Sequence, residues 1–416
     1  MFMDALPEVS LPMDNKIESE IKIQVMNKLD MSIDVSDEEI RNLIKQEILV
    51  KAKGTILPIS KRIEIEDHVF NALRGLDVLE DLLNDSEITE IMINGPNNIF
   101  IERKGQIEKW DGAFPSEEKL NDVIQHIVAD NNKIVNETNP IVDTRLSDGS
   151  RVNIVLPPAA VDYSIISIRR FPKEHMTMKR LLEYDSISPE IIEFLGKLVI
   201  SGYNIFVAGG TGSGKTSFLN ALAEFIPLDE RVITIEDSAE LQLNDIPNLV
   251  RLEARDANLE GKNQISIRDL LKSSLRMRPD RVIVGECRGA EALEMLQAFN
   301  TGHDGSLSTG HANSNEDMIA RLETMVLMGA EIPLVAIRQQ IAAGIDIFVH
   351  LGRIRDRSRR LLQISEVEGM VDGQVKLHSL YEFDGDMSTK GRIKGRWKKT
   401  GELIHTGKLT MSGVSL

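Results

Sequence analysis

Ile205-Phe-Val-Ala-Gly-Gly-Thr-Gly-Ser-Gly-Lys-Thr216 is the stretch that decides this chain's fold. Residues 205–208 are a continuous apolar run without alternation, the pattern of a strand buried on both faces of a parallel sheet. Gly209, Gly210, Thr211, Gly212, Ser213, Gly214, Lys215 and Thr216 then match G-x-x-x-x-G-K-[ST]. Glycines let the backbone take positive φ and turn several N–H groups inward, forming a nest for an anion. Thr216 and Ser217 open a predicted helix over 216–225, on which Phe218, Leu219, Leu222 and Phe225 give an apolar face. Its positive end faces the nest. Lys215 is expected to reach the β- and γ-phosphates of a nucleoside triphosphate, ATP, and Thr216 to place its hydroxyl on Mg²⁺.

Two further apolar runs end in acids: Ile233-Thr-Ile-Glu236-Asp237 and Val282-Ile-Val-Gly285-Glu286. Ligands of open α/β sheets bind at the carboxyl ends of the strands, so both acidic ends are expected to face the phosphate loop. Hydrolysis needs a carboxylate to orient water and oxygen donors near the metal. Glu236 and Glu286 are the catalytic candidates, and Thr216, Glu236 and Asp237 the metal candidates. The usual Asp-Glu ending is broken, because Gly285 stands where the Asp is expected. Residues 302–313 pack two histidines, His303 and His311, among hydroxyls and glycines, a polar segment suited to sensing a γ-phosphate.

Around this core, residues 1–15 read as a flexible leader and 16–85 as an acidic helical subdomain. Residues 86–172 read as a smaller α/β domain opening with a hairpin, 173–188 as a linker, 189–384 as the nucleotide-binding α/β domain and 385–416 as a basic C-terminal tail. Net charge is −16, from 49 Lys and Arg against 65 Asp and Glu. The charge is uneven: residues 351–416 hold 13 basic and 8 acidic residues, leaving 36 against 57 elsewhere. So acidic a body, with 4% aromatic residues, argues against a nucleic-acid footprint. One cysteine, Cys287, excludes an internal disulfide framework and a multi-cysteine zinc site. No apolar run reaches the ~18 residues of a membrane span, and the opening MFMDALPEVS has no basic-then-apolar pattern, so no secretory leader is expected. The Arg353–Arg360 cluster reads as a solvated face.

The order of motifs resembles the secretion-superfamily ATPases: the phosphate loop, Thr234-Ile-Glu-Asp237, Leu275-Arg-Met-Arg-Pro-Asp-Arg-Val-Ile-Val-Gly-Glu-Cys-Arg288, Asn300-Thr-Gly-His-Asp-Gly-Ser306 and His311-Ala-Asn313. It is most similar to the Tad/Flp pilus ATPases (TadA/CpaF), also through Ile88-Thr-Glu-Ile-Met-Ile-Asn-Gly-Pro96, Asp143-Thr-Arg-Leu-Ser-Asp-Gly-Ser-Arg-Val-Asn153 and Ile168-Arg-Arg-Phe171. That resemblance implies a RecA-like ATPase core with a smaller PAS-like α/β domain before it. It also implies that Glu236 and Glu286 are the catalytic carboxylates and that His303 and His311 form a His box. It further implies that Arg145, Arg151 and Arg169 approach the nucleotide, where the guanidinium fork suits a developing phosphate charge. It implies a homo-hexamer at the cytoplasmic face of the inner membrane, working on pilus or secretion platform proteins. Arg392, Lys394, Arg396 and Lys398 are expected to aid docking to an anionic membrane surface. The alternatives are a nucleic-acid translocase or helicase-like motor and a nucleotide-gated scaffold with little turnover, the latter favoured only by the missing Asp.

Overall fold

The computed structural model describes residues 13–28, 35–51, 58–103, 105–131, 133–171, 175–255, 257, 262–386 and 391–416. The expected leader falls largely outside these residues. The chain forms two compact units, Met1–Lys173 and Glu174–Leu416.

The first unit begins with α1 (Met13–Lys28), α2 (Asp37–Lys51) and α3 (Ile59–Arg74), which share an apolar seam of Ile21, Val25, Ile40, Ile44, Ile48, Ile65 and Val69. Ile40, Ile44 and Ile48 recur every fourth residue, which puts them on one helix face. Ser36 caps α2 reciprocally: its backbone N–H donates to Glu39 Oε2 at 3.0 Å and its Oγ accepts from the Glu39 N–H at 3.4 Å. After α4 (Leu79–Asn84) come β1 (Ile88–Asn94), β2 (Ile99–Arg103), β3 (Gln106–Lys109), α5 (Glu117–Ala129), β4 (Ile141–Arg145), β5 (Arg151–Val155) and β6 (Ile165–Arg169). They form an antiparallel sheet in the order β3-β2-β1-β6-β5-β4. Leu120, Val123, Ile124, Ile127 and Val128 of α5 join its core. The sequence pattern missed β3, whose four residues are all exposed and so carry no alternation.

The second unit comprises α6 (Met178–Glu183), α7 (Pro189–Ile200), β7 (Ile205–Gly209), α8 (Lys215–Ala223), β8 (Arg231–Glu236), β9 (Asn248–Glu253), α9 (Ile267–Ser274) and β10 (Arg281–Val284). It continues with α10 (Ala292–Phe299), β11 (Leu307–His311), α11 (Asn315–Gly329), α12 (Leu334–Gly344), β12 (Ile347–Arg353), β13 (Arg359–Val371), β14 (Gln374–Gly385), β15 (Gly395–Lys399) and α13 (Gly407–Ser412). One sheet has the order β15-β14-β13-β12-β7-β11-β10-β8-β9. The six strands from β12 to β9 are parallel, and β13 to β15 extend the sheet antiparallel. Every residue of β7 and β10 is buried, as the apolar runs 205–208 and 282–284 require, while Arg281 is buried against Glu230. Helices α7 and α8 cover one face and α10, α11 and α12 the other. This is the expected α/β, RecA-like core.

Two sequence expectations are corrected here. The stretch read as a linker holds α6, and its Met178, Leu181 and Ile187 are buried in the core of the second unit; its apolar spacing is too short to read as a helix. The C-terminal tail is likewise part of the domain. β15 pairs with β14, placing Phe383 opposite Trp397 with ring centroids 5.2 Å apart. Leu403 and Leu409 are buried. Arg392 and Lys398 are committed to ion pairs with Asp185 and Asp384, both at 2.7 Å. No helix among the described residues is long and apolar enough to cross a membrane.

The C-terminal segment is held by Glu366 of β13. This 1%-exposed carboxylate accepts the backbone N–H groups of Ile404 and His405, each at 2.7 Å, and contacts His405 Nδ1 at 2.8 Å. Glu366→Ala leaves those donors without their charged acceptor. It is expected to destabilise the second unit by roughly 2–4 kcal/mol and to accelerate amide exchange across 403–412 ahead of the central strands, as read by hydrogen-exchange mass spectrometry.

Candidate nucleotide site

Parallel pairing brings the catalytic candidates to one edge. His311 on β11 sits opposite Gly209 on β7, and Val284 on β10 lies between Ser308 of β11 and Ile235 of β8. The loop 209–216, Glu236, Glu286 and His311 therefore all emerge at the carboxyl ends of adjacent strands, the ligand edge of an open sheet.

The loop is built by its glycines. Gly212 and Gly214 have φ of +69° and +93°, and Gly212 takes the third place of a turn closed by Ser213 N–H on the Gly210 carbonyl at 3.3 Å. A Cβ at Gly209 would lie 2.5 Å from both the Leu351 carbonyl and Ser213 Oγ, so only glycine fits there. Lys215 Nζ donates to the carbonyls of Gly209 and Gly210, both at 3.1 Å, and lies 3.4 Å from His311 Nδ1.

That last contact sets the histidine tautomer. An ammonium only donates, so Nδ1 must accept and the ring proton sits on Nε2. Nε2 is 2.7 Å from Glu286 Oε1. Burial lowers the His311 pKa, and the Lys215 charge lowers it further. The ring is thus a neutral imidazole in close contact with the loop lysine on one side and with the Glu286 carboxylate on the other, where Oε1 is buried without an aligned hydrogen-bond donor.

Glu236 is 3% exposed at the end of β8. Its Oε1 accepts the N–H groups of Glu240 at 2.8 Å and Leu241 at 2.9 Å, while the buried Oε2 has no hydrogen-bond partner. Burial pushes its carboxyl up to about 7, against those two N–H donors. Gly285 explains itself in this light: a Cβ there would come within 2.8 Å of Glu236 Cγ. The position that generic patterns fill with Asp is kept bare to seat the neighbouring strand's glutamate.

Other candidates lie elsewhere. Asp237, expected among the metal donors, is engaged by Arg288 at 2.6 Å, and Arg288 also comes within 3.6 Å of Glu286. His303 is not at this edge. It lies in the α10–β11 connection, before Leu307, with Nδ1 3.1 Å from the Ala298 carbonyl. The strand β11 separates it from His311 by roughly 13 Å of extended chain. Its neighbour Asp304 pairs at 2.8 Å with Lys408 of α13, at the opposite edge of the sheet. Arg145, Arg151 and Arg169 belong to the first unit, where the register places Arg145 opposite Arg151 and Arg151 opposite Arg169. They make a cationic row across β4, β5 and β6. Glu90 of β1 stands opposite Arg169 at the end of this row.

Sequence reading passed over two arginines. Arg288 closes the Leu275–Arg288 motif, two residues after Glu286. Arg359, placed on a solvated face, donates Nε–H to the Gly212 carbonyl at 2.9 Å. Its neighbour Arg360 is 4% exposed and donates to the carbonyls of Asp185 and Ile393. The Arg353–Arg360 cluster is therefore not simply a solvated face.

The donors on offer to a metal are oxygens: the Thr216 hydroxyl and the unpartnered Glu236 Oε2. That chemistry fits Mg²⁺, which keeps most of its ligands as water and phosphate. Among the described residues no cluster of three or more His, Cys, Asp or Glu could hold a metal.

Residues 72–383 match the protein family described as type II/IV secretion system protein. This chain belongs to the type II/IV secretion system ATPase family. The secretion ATPase is 33% identical to the type IV secretion system protein VirB11 of Brucella suis, over 70% of this chain and 88% of that one. It is 32% identical to a putative conjugal transfer protein of Mycobacterium tuberculosis, over 76% of this chain and 91% of that one. The X-ray structure of the Yersinia pseudotuberculosis ATPase DotB shares its fold, with a TM-score of 0.51 at 18% identity, over 70% of this chain and 77% of that one. Like its family, the secretion ATPase hydrolyses ATP.

The raised Glu236 carboxyl gives a signed test. In the folded enzyme this group holds its proton up to about pH 7, whereas an unfolded Glu releases it near 4.3. Its contribution to stability is therefore present at low pH and lost as pH rises through 7, by up to about 3 kcal/mol. Glu236→Gln keeps the acceptor for Glu240 and Leu241 but carries no charge. The variant is expected to melt several degrees above wild type at pH 8.5, with the gap closing at pH 5; a gap independent of pH would contradict the assignment.

Proposed function

We propose that this chain is the hexameric ATPase motor of a Tad/Flp-type, type IV-like pilus assembly or protein secretion machine, acting on platform proteins at the cytoplasmic face of the inner membrane. The observation that carries the motor reading is the Lys215–His311–Glu286 contact chain, which links the phosphate loop to a carboxylate through a histidine on the adjacent strand. The Tad assignment is supported by the motifs at 88–96, 143–153 and 168–171.

In this reading the loop N–H groups and Lys215 bind the β- and γ-phosphates. Glu286 orients the attacking water and accepts its proton, because it is partly exposed, lies beside His311 and Arg288, and has a carboxylate oxygen that no hydrogen bond occupies. Glu236 forms the buried acidic floor. Mg²⁺, when bound, would neutralise developing phosphate charge, held by Thr216 and through water by Glu236. Loss of the γ-phosphate changes what Lys215 touches, and His311 passes that change to Glu286 and β11.

The Arg145–Arg151–Arg169 row is the proposed source of cationic charge toward the nucleotide from the first unit. Hexamerisation would let one subunit's movement act on the next. The acidic body remains a poor nucleic-acid surface. Docking to an anionic surface, if it uses the C-terminal segment, uses the β15 edge strand rather than a loose basic arm.

Lys215→Ala is expected to lower steady-state phosphate release at least about a hundredfold. Affinity capture of Lys215→Ala and wild type from membranes of the native host is expected to recover inner-membrane pilus or secretion platform proteins. Turnover stimulated by single-stranded DNA, with no platform protein recovered, would point to the translocase reading instead.

A further inference from the structure

Arg359 lies 147 positions from Gly212 in sequence yet touches the phosphate loop. The fold delivers it by continuing a hairpin past the end of β7. Leu351 of β12 pairs with Gly209, where β7 ends, and Arg353 pairs with Arg359 across the β12–β13 turn. That turn is tightly made: Ile354 N–H donates to the Ser358 carbonyl at 2.9 Å, Arg357 N–H to the Ile354 carbonyl at 2.8 Å, and Ser358 Oγ to Asp356 Oδ1 at 2.6 Å. Arg359 is thus presented from a rigid base. Its Nε–H meets the Gly212 carbonyl, and its Cδ lies 3.4 Å from where a Cβ of Gly214 would stand.

The loop needs such a brace. A Cβ at Gly210 or at Gly212 would meet nothing within 4 Å, so open space lies beside both residues. Its own turn is closed by one long hydrogen bond of 3.3 Å. Glycine-rich backbone left loose must be ordered when phosphate binds, at an entropic cost taken from affinity. In a trans peptide the C=O and the following N–H point in opposite directions. Holding the Gly212 carbonyl therefore fixes the Ser213 N–H on the opposite side, where it closes the turn on the Gly210 carbonyl.

We propose that Arg359 is a positioning residue for ATP binding: it pins the Gly212–Ser213 peptide and so pre-organises the phosphate nest. It acts through the loop on both ground and transition states, so its removal is felt in KM rather than kcat.

The test uses the full chain with N-methylanthraniloyl-ADP as the binding probe and steady-state ATP turnover. Arg359→Ala and Arg359→Gln are expected to weaken probe binding and raise KM for ATP by about fivefold to twentyfold, with kcat at saturation within about twofold. Melting of the nucleotide-free protein should not move, while the rise in melting temperature on adding ADP should shrink. Arg359→Lys keeps the aliphatic stem and the charge but moves the donor from Nε to the end of the chain, so it reads the placement of the donor and is expected to fall between wild type and Ala. Unchanged probe affinity and KM in both the Ala and Lys variants would overturn the proposal. So would tighter binding, which would make Arg359 a competitor for the nest, or a loss of kcat at constant KM.

Discussion

The parallel register of β8, β10, β11 and β7 is the constraint on which the site depends. It ends four strands at one edge and sets His311 beside the start of the phosphate loop. A one-residue slip of β11 would turn His311 to the other face and break its contacts with Lys215 and Glu286. The register is secured because these strands are buried on both faces, and by side chains that lock neighbouring strands. Thr309 Oγ donates to the Gly285 carbonyl at 2.8 Å, and Ser306 Oγ accepts the Val282 N–H at 3.0 Å.

The same strand β11 separates the two histidines that the sequence shows as one box. His311 meets nucleotide chemistry at one end. At the other, Asp304 pairs with Lys408 of the C-terminal helix, which also contacts the Gly202 carbonyl at 2.9 Å and Asp346 at 2.8 Å. The basic C-terminal segment is a structural part of the ATPase unit, held by Glu366 and Lys408.

Much of this was legible from residues alone, for physical reasons. Unbroken apolar runs mark strands buried on both faces, and the glycines of 209–216 announce a loop that only an anion completes. The acids at 236 and 286 follow from where α/β sheets bind ligands. What stayed hidden depends on contacts distant in sequence. Arg359 reaches Gly212 only because β12 and β13 form a hairpin beside β7. Gly285 looked like a defect until Glu236 was seen to occupy the space a Cβ would need. Asp237 looked free to bind metal because nothing local shows that Arg288 folds back to it. His303 looked like a partner of His311 because spacing in sequence says nothing of which end of a strand a residue sits at. The helix α6 was hidden by its short length and by flanking residues that read as punctuation.

Glu286, beside His311, is the group proposed to activate water at this edge. Single-turnover hydrolysis by Glu286→Gln, with ATP bound beforehand and phosphate release followed rapidly, tests it most directly. The account predicts ATP affinity close to wild type and a hydrolysis rate at least about a hundredfold lower. Hydrolysis at the wild-type rate in Glu286→Gln, with the loss appearing instead in Glu236→Gln, would contradict it.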